Sequence, residues 1–251
     1  MVASGLGAFS WFGGSALILN MSRAKKAAHD THPQLFNVVE EMKIASGLPM
    51  PELYVIEADA PNAFATGRDQ NHSAIAVTTG LLAKLNRDEL QGVIAHEFSH
   101  IRNLDIRYAM LVGVIVGATA LIADAFLRGF GGSGSRRGGL PLLLVAVIFA
   151  IVAPISAKML QMAISRSREF LADASAVELT RNPDGLASAL NKITRDQAPL
   201  SVANRATQHL YIVNPLKSFD MDSKALFSTH PPTEARIRKL VAMGARSEYL
   251  D

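Results

Sequence analysis

The stretch His96-Glu97-Phe98-Ser99-His100 restricts this chain more than any other, because it sets two imidazoles four residues apart around a carboxylate. On an α-helix, side chains four apart stack on one face, so both rings can converge on a single ion. Glu97 follows the first histidine by one position. Its carboxylate therefore stands off the line to the ion, within reach of a water at an open coordination position. Such a set suits zinc, with Glu97 as the base. The chain has 7 histidines in 251 residues, so the pairing is not a by-product of histidine abundance.

No cysteine is present, which excludes disulfides and thiolate zinc sites and leaves histidine and carboxylate to hold any metal. The formal net charge is +3 and the pI is near 9.3. Lysine and arginine are interspersed with acidic residues instead of forming a stripe, so no nucleic-acid partner is expected. Apolar residues make up 49% of the chain and crowd into two runs, 108–127 and 140–157, with Asp124 the one charge inside them. Each has about the length that crosses a hydrocarbon core of roughly 30 Å, and Pro154 is tolerated in a membrane helix. A glycine-rich basic loop, 128–139, joins them. The segment 108–163 is thus expected to form a transmembrane hairpin, with a buried helical hairpin in a soluble core as the alternative. Residues 2–20 are uncharged and rich in glycine and serine, and Arg23, Lys25 and Lys26 follow them. The segment 1–26 is expected either to enter the bilayer or to lie on its surface, and the sequence leaves both open.

The remainder reads as an α+β, mostly helical, zincin-like catalytic domain with a small antiparallel sheet, interrupted by the transmembrane hairpin. Its first part, 27–107, holds a helix over 33–46 with Leu35, Val38, Val39 and Met42 at helical spacing, ended by Gly47 and Pro49. Strands are expected over 53–56, 62–67 and 73–79. Asn86 caps the next helix with Glu89 in the capping-box position, and Leu90, Val93, Ile94 and Ile101 give it an inward face. The second part, 164–251, holds helices over 164–179 and 183–193, an irregular stretch over 215–228 and a last helix ending near Gly244.

Two histidines leave zinc one protein ligand short, and sites of this kind often take a glutamate from a later helix. Glu169 is the candidate third ligand. Asp173 stands one turn on, where it can accept a hydrogen bond from the back nitrogen of a liganding histidine. If all three ligands share one ion, the chain between them crosses the membrane an even number of times, as two apolar runs allow.

Taken together, residues 62–67 (Asn-Ala-Phe-Ala-Thr-Gly), the segment His96 to His100 with Asn103 and Asp105, the apolar hairpin, the segment Ser167-Arg168-Glu169-Phe170-Leu171-Ala172-Asp173 and residues 229–236 (Thr-His-Pro-Pro-Thr-Glu-Ala-Arg) resemble the HtpX family of membrane zinc endopeptidases, relatives of the prenyl-protein (CAAX) protease. The resemblance runs from about Pro33 to Arg236. It implies that His96, His100 and Glu169 bind one zinc ion and that Glu97 is general base and then acid. It implies that Asp173 and Asp105 support the ligands from outside. It also implies a multi-pass protein of the inner (plasma) membrane with its catalytic domain in the cytoplasm. Unfolded or damaged membrane proteins are the implied substrates, within a quality-control role. Asn62 and His230 are the expected oxyanion donors, Arg236 is expected to orient a carboxylate, and Ala63, Phe64 and Ala65 form an extended piece suited to pairing with substrate backbone. Members of that family usually begin with two clear transmembrane helices, whereas one weak segment precedes the domain here, so a truncated or reduced first anchor is expected. The rival readings are an intramembrane metalloprotease, a catalytically idle metal-binding membrane scaffold and a transporter fragment.

Overall fold

Helix α1, Pro33–Ser46, opens on a proline whose fixed φ suits the first helical turn. It closes at Gly47, which adopts the left-handed conformation at φ 69° and donates its N–H to the Lys43 carbonyl at 3.0 Å. Leu35, Val38, Val39 and Met42 form its buried stripe, as the helical period requires. The computed structural model describes residues 13–111, 166–196, 198, 200, 207, 210–213 and 231–247.

The strands are β1 (Lys25–Lys26), β2 (Glu52–Ile56), β3 (Ala63–Asp69) and β4 (His72–Thr78), in the spatial order β1-β2-β4-β3. Strands β2 and β4 pair in parallel, while β1 on β2 and β3 on β4 are antiparallel. The sheet is therefore mixed, not antiparallel as expected. Taking sequence neighbours as sheet neighbours yields a meander. Here β3 instead passes to the outer edge, and β4 returns between β3 and β2, so the strand that joins β2 runs in the same direction. Lys25 and Lys26, which read as the basic flank of a membrane segment, form the short edge strand opposite Tyr54 and Val55.

Alternation along the strands buries both faces of the sheet. Ala63, Ala65, Ile75 and Val77 face one core with α1 and the later helices. Phe64, Ala74 and Ala76 face a second core with Ile18, Leu19, Met110 and Tyr211. Residues 13–21 are helical, and their Ile18 and Leu19 are part of that second core. Residues 2–12 lie outside the described set.

Helix α2 is Thr79–Lys84 and α3, which carries the paired histidines, is Arg87–Arg102. The expected capping box is present: the Glu89 N–H donates to Asn86 Oδ1 at 2.9 Å, and the Asn86 N–H donates to Glu89 Oε2 at 2.8 Å. The Glu89 carboxylate also accepts from Ser188 Oγ at 2.6 Å and Lys192 Nζ at 2.8 Å, tying the start of α3 to a later helix. The helices of the second part are α4 (Arg166–Thr180), α5 (Pro183–Arg195) and α6 (Thr233–Ser247). Helix α6 runs past Gly244 to Ser247, since a glycine inside a helix costs only about 1 kcal/mol.

No helix of the described residues is long and apolar enough to cross a membrane. Residues 105–111 are helical, but the rest of the expected hairpin, 112–163, lies outside the described residues.

Helices α3 and α5 cross at Gly92, where an added Cβ would stand 2.8 Å from the Leu186 nitrogen and 2.9 Å from its Cα. Backbone on the far side cannot rotate away, so even one methyl group forces the helices apart. Gly92→Ala is expected to destabilise the fold by about 1–3 kcal/mol through overpacking, measured as a lowered denaturation midpoint of the full chain in detergent. An unchanged midpoint would show that the crossing is looser than its geometry states.

Candidate metal centre

Helix α3 carries its chemistry inward. His96 is 1% exposed and Glu97 2%, while the His100 side chain is 18% exposed at the mouth of the site. Helix α4 packs on α3, and Ala172 and Ala176 of α4 are both fully buried. That packing brings Glu169 up to both imidazoles. Glu169 Oε2 lies 3.9 Å from His96 Nε2, and Glu169 Oε1 lies 3.6 Å from His100 Nε2. One ligand atom from each of His96, His100 and Glu169 falls within 4.8 Å of the others.

The far side of each ring is held by a carboxylate. His96 Nδ1 lies 3.0 Å from Asp173 Oδ1, and His100 Nδ1 lies 3.1 Å from Asp105 Oδ2. An ionised carboxylate only accepts, so both Nδ1 atoms carry the proton. Both Nε2 atoms then present lone pairs, and they face each other at 3.1 Å. Two acceptors at that distance repel unless they share a cation, and a metal ion beside Glu169 answers that need. Two neutral imidazoles plus one carboxylate, with no thiolate, make the donor set of an open catalytic zinc site. The residues present fit the ion that the sequence implies.

Without a metal, the pair satisfies itself with a proton. Burial opposes charge on His100, but the hydrogen bond to Asp105 and the negative charges of Glu169 and Glu97 outweigh it and raise His100 to about 9. Burial lowers His96 to about 4, helped by the positive charges of Arg236 and His100. Burial also raises Glu97 to about 7, with Glu169 adding to the rise and His100, the Ala65 N–H and Arg236 opposing it. A carboxyl placed there exchanges protons near neutrality. Asp173 is the opposite case: burial works against its charge, yet Arg236 overrides that and holds it at about 2.

Arg236, on α6, is 1% exposed. Its Nε donates to Asp173 Oδ2 at 2.8 Å and its Nη2 to Asp173 Oδ1 at 2.6 Å, a two-pronged grip on one carboxylate. Its Nη1 donates to the Ile212 carbonyl at 3.1 Å and lies 3.3 Å from Glu169 Oε2. The carboxylate that Arg236 orients is thus that of Asp173, in the interior.

The strand residues need correcting. Asn62 Nδ2 donates to the Val213 carbonyl at 2.9 Å, and Asn62 Oδ1 accepts from the Ala63 N–H at 3.1 Å. The amide thus fastens the segment 210–213 to the start of β3 instead of presenting its groups as an oxyanion donor. The Ala63 carbonyl accepts from the Ile212 N–H at 3.0 Å, so the outer edge of β3 is already occupied at Ala63. Phe64 is fully buried and packs edge-on against Tyr211, with ring centroids 5.1 Å apart. Ala65 is the strand residue that meets the site, through its N–H on the Glu97 carboxylate. His230 lies outside the described residues. Sequence spacing does not single out Ile212, because it carries no chemically distinctive side chain; what matters is its backbone N–H on the edge of β3.

The sequence pattern of Peptidase family M48 matches residues 29–243. A protein of Dictyoglomus turgidum described as a protease HtpX homolog is 49% identical over 237 residues, covering 94% of this chain and 77% of that protein. One of the same description from Tropheryma whipplei is 44% identical over 247 residues, covering 97% and 84%. Among solved structures, Ste24p of S. mikatae aligns with a TM-score of 0.49 at 20% identity, over 94% of this chain and 58% of that one. A pattern that spans most of the sequence and takes in the helix of paired histidines, the carboxylates of α4 and the buried arginine of α6 has one meaning: the chain belongs to peptidase family M48, with the HtpX proteases as its relatives.

Proposed function

We propose that this chain is a membrane-bound zinc endopeptidase that hydrolyses peptide bonds of misfolded or damaged membrane proteins, with its catalytic part on the cytoplasmic side. The observation that carries the reading is the pair of imidazole Nε2 atoms 3.1 Å apart, each ring held from behind by a carboxylate, with Glu169 beside both. Membership of a peptidase family and relatives described as HtpX proteases support the reaction class. The apolar runs 108–127 and 140–157 support the membrane placement.

Bound among His96, His100 and Glu169, zinc would supply Lewis acidity, making a water acidic near neutral pH and polarising a peptide carbonyl. The protein's own residues do the rest. Glu97 would take the proton from the attacking water and return it to the departing nitrogen. Asp173 and Asp105 keep both rings in the tautomer whose Nε2 is free to bind metal. The edge of β3 passes beside Glu97 at Ala65. A substrate laid along that edge is held by its backbone, which admits many sequences.

Zinc content and cleavage of an unfolded protein, measured on the full chain purified in chelator and then reloaded, test this reading. Wild type is expected to bind one zinc and to lose cleavage reversibly with chelator. Glu97→Gln is expected to keep the zinc and lose at least about 100-fold in rate, and Glu169→Ala to lose both. Full cleavage by zinc-free protein, or by Glu97→Gln, would overturn the proposal. A catalytically idle scaffold would bind zinc and cleave nothing in any form.

The Arg236–Asp173 pair has its own signature in the metal-free protein. Removing one partner of a buried pair strands the other, so Arg236→Gln is expected to cost on the order of 3–5 kcal/mol at neutral pH. Asp173 has its native pKa lowered from 3.8 to about 2. Its stabilising contribution is therefore complete above about 4 and is lost as pH falls toward 2. The gap between wild type and variant should narrow on acidification through that window, as read by denaturation in chelator. A gap independent of pH would mean that Arg236 does not act through Asp173.

A further inference from the structure

The two histidines are held in parallel fashion, and the second holder has a partner of its own. On the His96 side, the chain of contacts runs from Arg236 through Asp173 to Nδ1. On the His100 side it runs from Arg168 through Asp105 to Nδ1: Arg168 Nη1 donates to Asp105 Oδ1, and Asp105 Oδ2 faces His100. Arg168 immediately precedes the ligand Glu169 on α4, whereas Asp105 opens the helical stretch 105–111 that follows α3. The two residues are 63 positions apart in sequence.

Three further details show that this contact is built into the fold. Leu104 adopts a φ of 58°, a conformation that residues with a side chain rarely take, and the turn it makes swings the chain after α3 back so that Asp105 reaches His100. The Asp105 side chain is 8% exposed, buried enough for its charge to need a partner. The Arg168 guanidinium also lies over the Tyr108 ring, 5.6 Å from its centroid, which steadies the arginine from its other side.

We infer that Arg168 is a positioning residue of the metal centre: by fixing Asp105, it sets the tautomer and direction of His100 and joins the ligand at the end of α3 to the ligand at the start of α4. Arg236 does this work in the interior for His96. Arg168 does it at the mouth, next to the start of the first apolar run. The inference rests on the zinc reading of the site. It adds that affinity for the ion depends on a residue that never touches it.

The test measures zinc affinity by competition with a chromophoric chelator, on full-length protein in detergent, with Glu97→Gln as the parent so that no cleavage intervenes. Arg168→Ala is expected to weaken zinc binding about 10–100-fold, the usual effect of losing an outer partner of a metal ligand. Arg168→Lys is expected to fall between the two, since lysine restores the charge without the fixed fork. Arg238→Ala, an exposed arginine of α6, should match the parent. The decisive variant is Asp105→Asn combined with Arg168→Ala. If Arg168 acts through Asp105, the double variant binds zinc no more weakly than Asp105→Asn alone. Affinity unchanged in Arg168→Ala, or a double variant weakened by the product of the two single effects, would overturn the inference. A parent that binds no zinc would overturn the metal reading itself, which separates the two failures. Thermal midpoints taken in chelator show whether a variant is folded before zinc is added, and Arg168→Lys carries the test if Arg168→Ala is not.

Discussion

Two imidazole nitrogens that face each other at 3.1 Å with their opposite nitrogens tied to carboxylates form the contact on which the rest of the structure depends. Two bare lone pairs at that distance repel, so the arrangement calls for a cation between them, a proton in the metal-free protein or a metal ion. The surroundings raise the demand for positive charge further by adding Glu169 and Glu97. A protein that only needed stability would place apolar residues here, since buried charges repay their desolvation only when paired and well bonded. The geometry makes sense as a socket for a cation, with charged groups arranged so that each one's cost is offset by the next.

That arrangement has a clear division of labour. Arg236, held in the interior, neutralises Asp173 and leans on Glu169. It also donates to the Ile212 carbonyl, so the segment 210–213 is fixed to the metal centre as well as to Asn62 on β3. One arginine thus ties together α3, α4, α6 and the segment beside β3. Glu97 differs: burial is the strongest influence on it and outweighs the opposing pull of His100, the Ala65 N–H and Arg236, so its carboxyl is pushed up. Asp173 is held ionised by Arg236 while burial pushes Glu97 up, so carboxylates of one site differ through what each one touches.

Much of this was legible from the chain, and what was not has physical reasons. The paired histidines, Glu169 and Asp173 stand at helical spacings that a reader can count, and the structure brings them together. The capping box at Asn86 and Glu89 and the buried stripe of α1 were readable on the same ground, because both are set by neighbours within one or two turns. The sheet was harder. Strand existence follows from local pattern, but which strand lies beside which is a long-range choice, so β4 inserting between β2 and β3 gave a mixed sheet where an antiparallel one was expected. Lys25 and Lys26 pair as a short edge strand, which a basic pair after an apolar stretch does not announce in the sequence. Asn62 was recognised as a site residue but given the wrong partner, since sequence cannot say that an amide is turned toward the Val213 carbonyl, and which carboxylate Arg236 orients is likewise decided by the fold.

The same reasoning explains how the site tolerates a long insertion between its ligands. Residues 105 and 168 are 63 positions apart, yet their side chains meet, so the chain leaves and re-enters the centre at nearly one point. Closing a loop costs entropy that grows only with the logarithm of its length, about 0.6 kcal/mol for each doubling. The expense of the insertion is thus set mainly by having two fixed ends, and depends little on how much chain lies between them. Contacts that fix those ends are already required for other work: Asp105 orients His100, Glu169 completes the ligand set, and α4 packs on α3. A fold whose ligands come from both sides of an insertion gains a further property. The ion becomes a link between segments far apart in sequence, so binding it stabilises the very juxtaposition that creates the site.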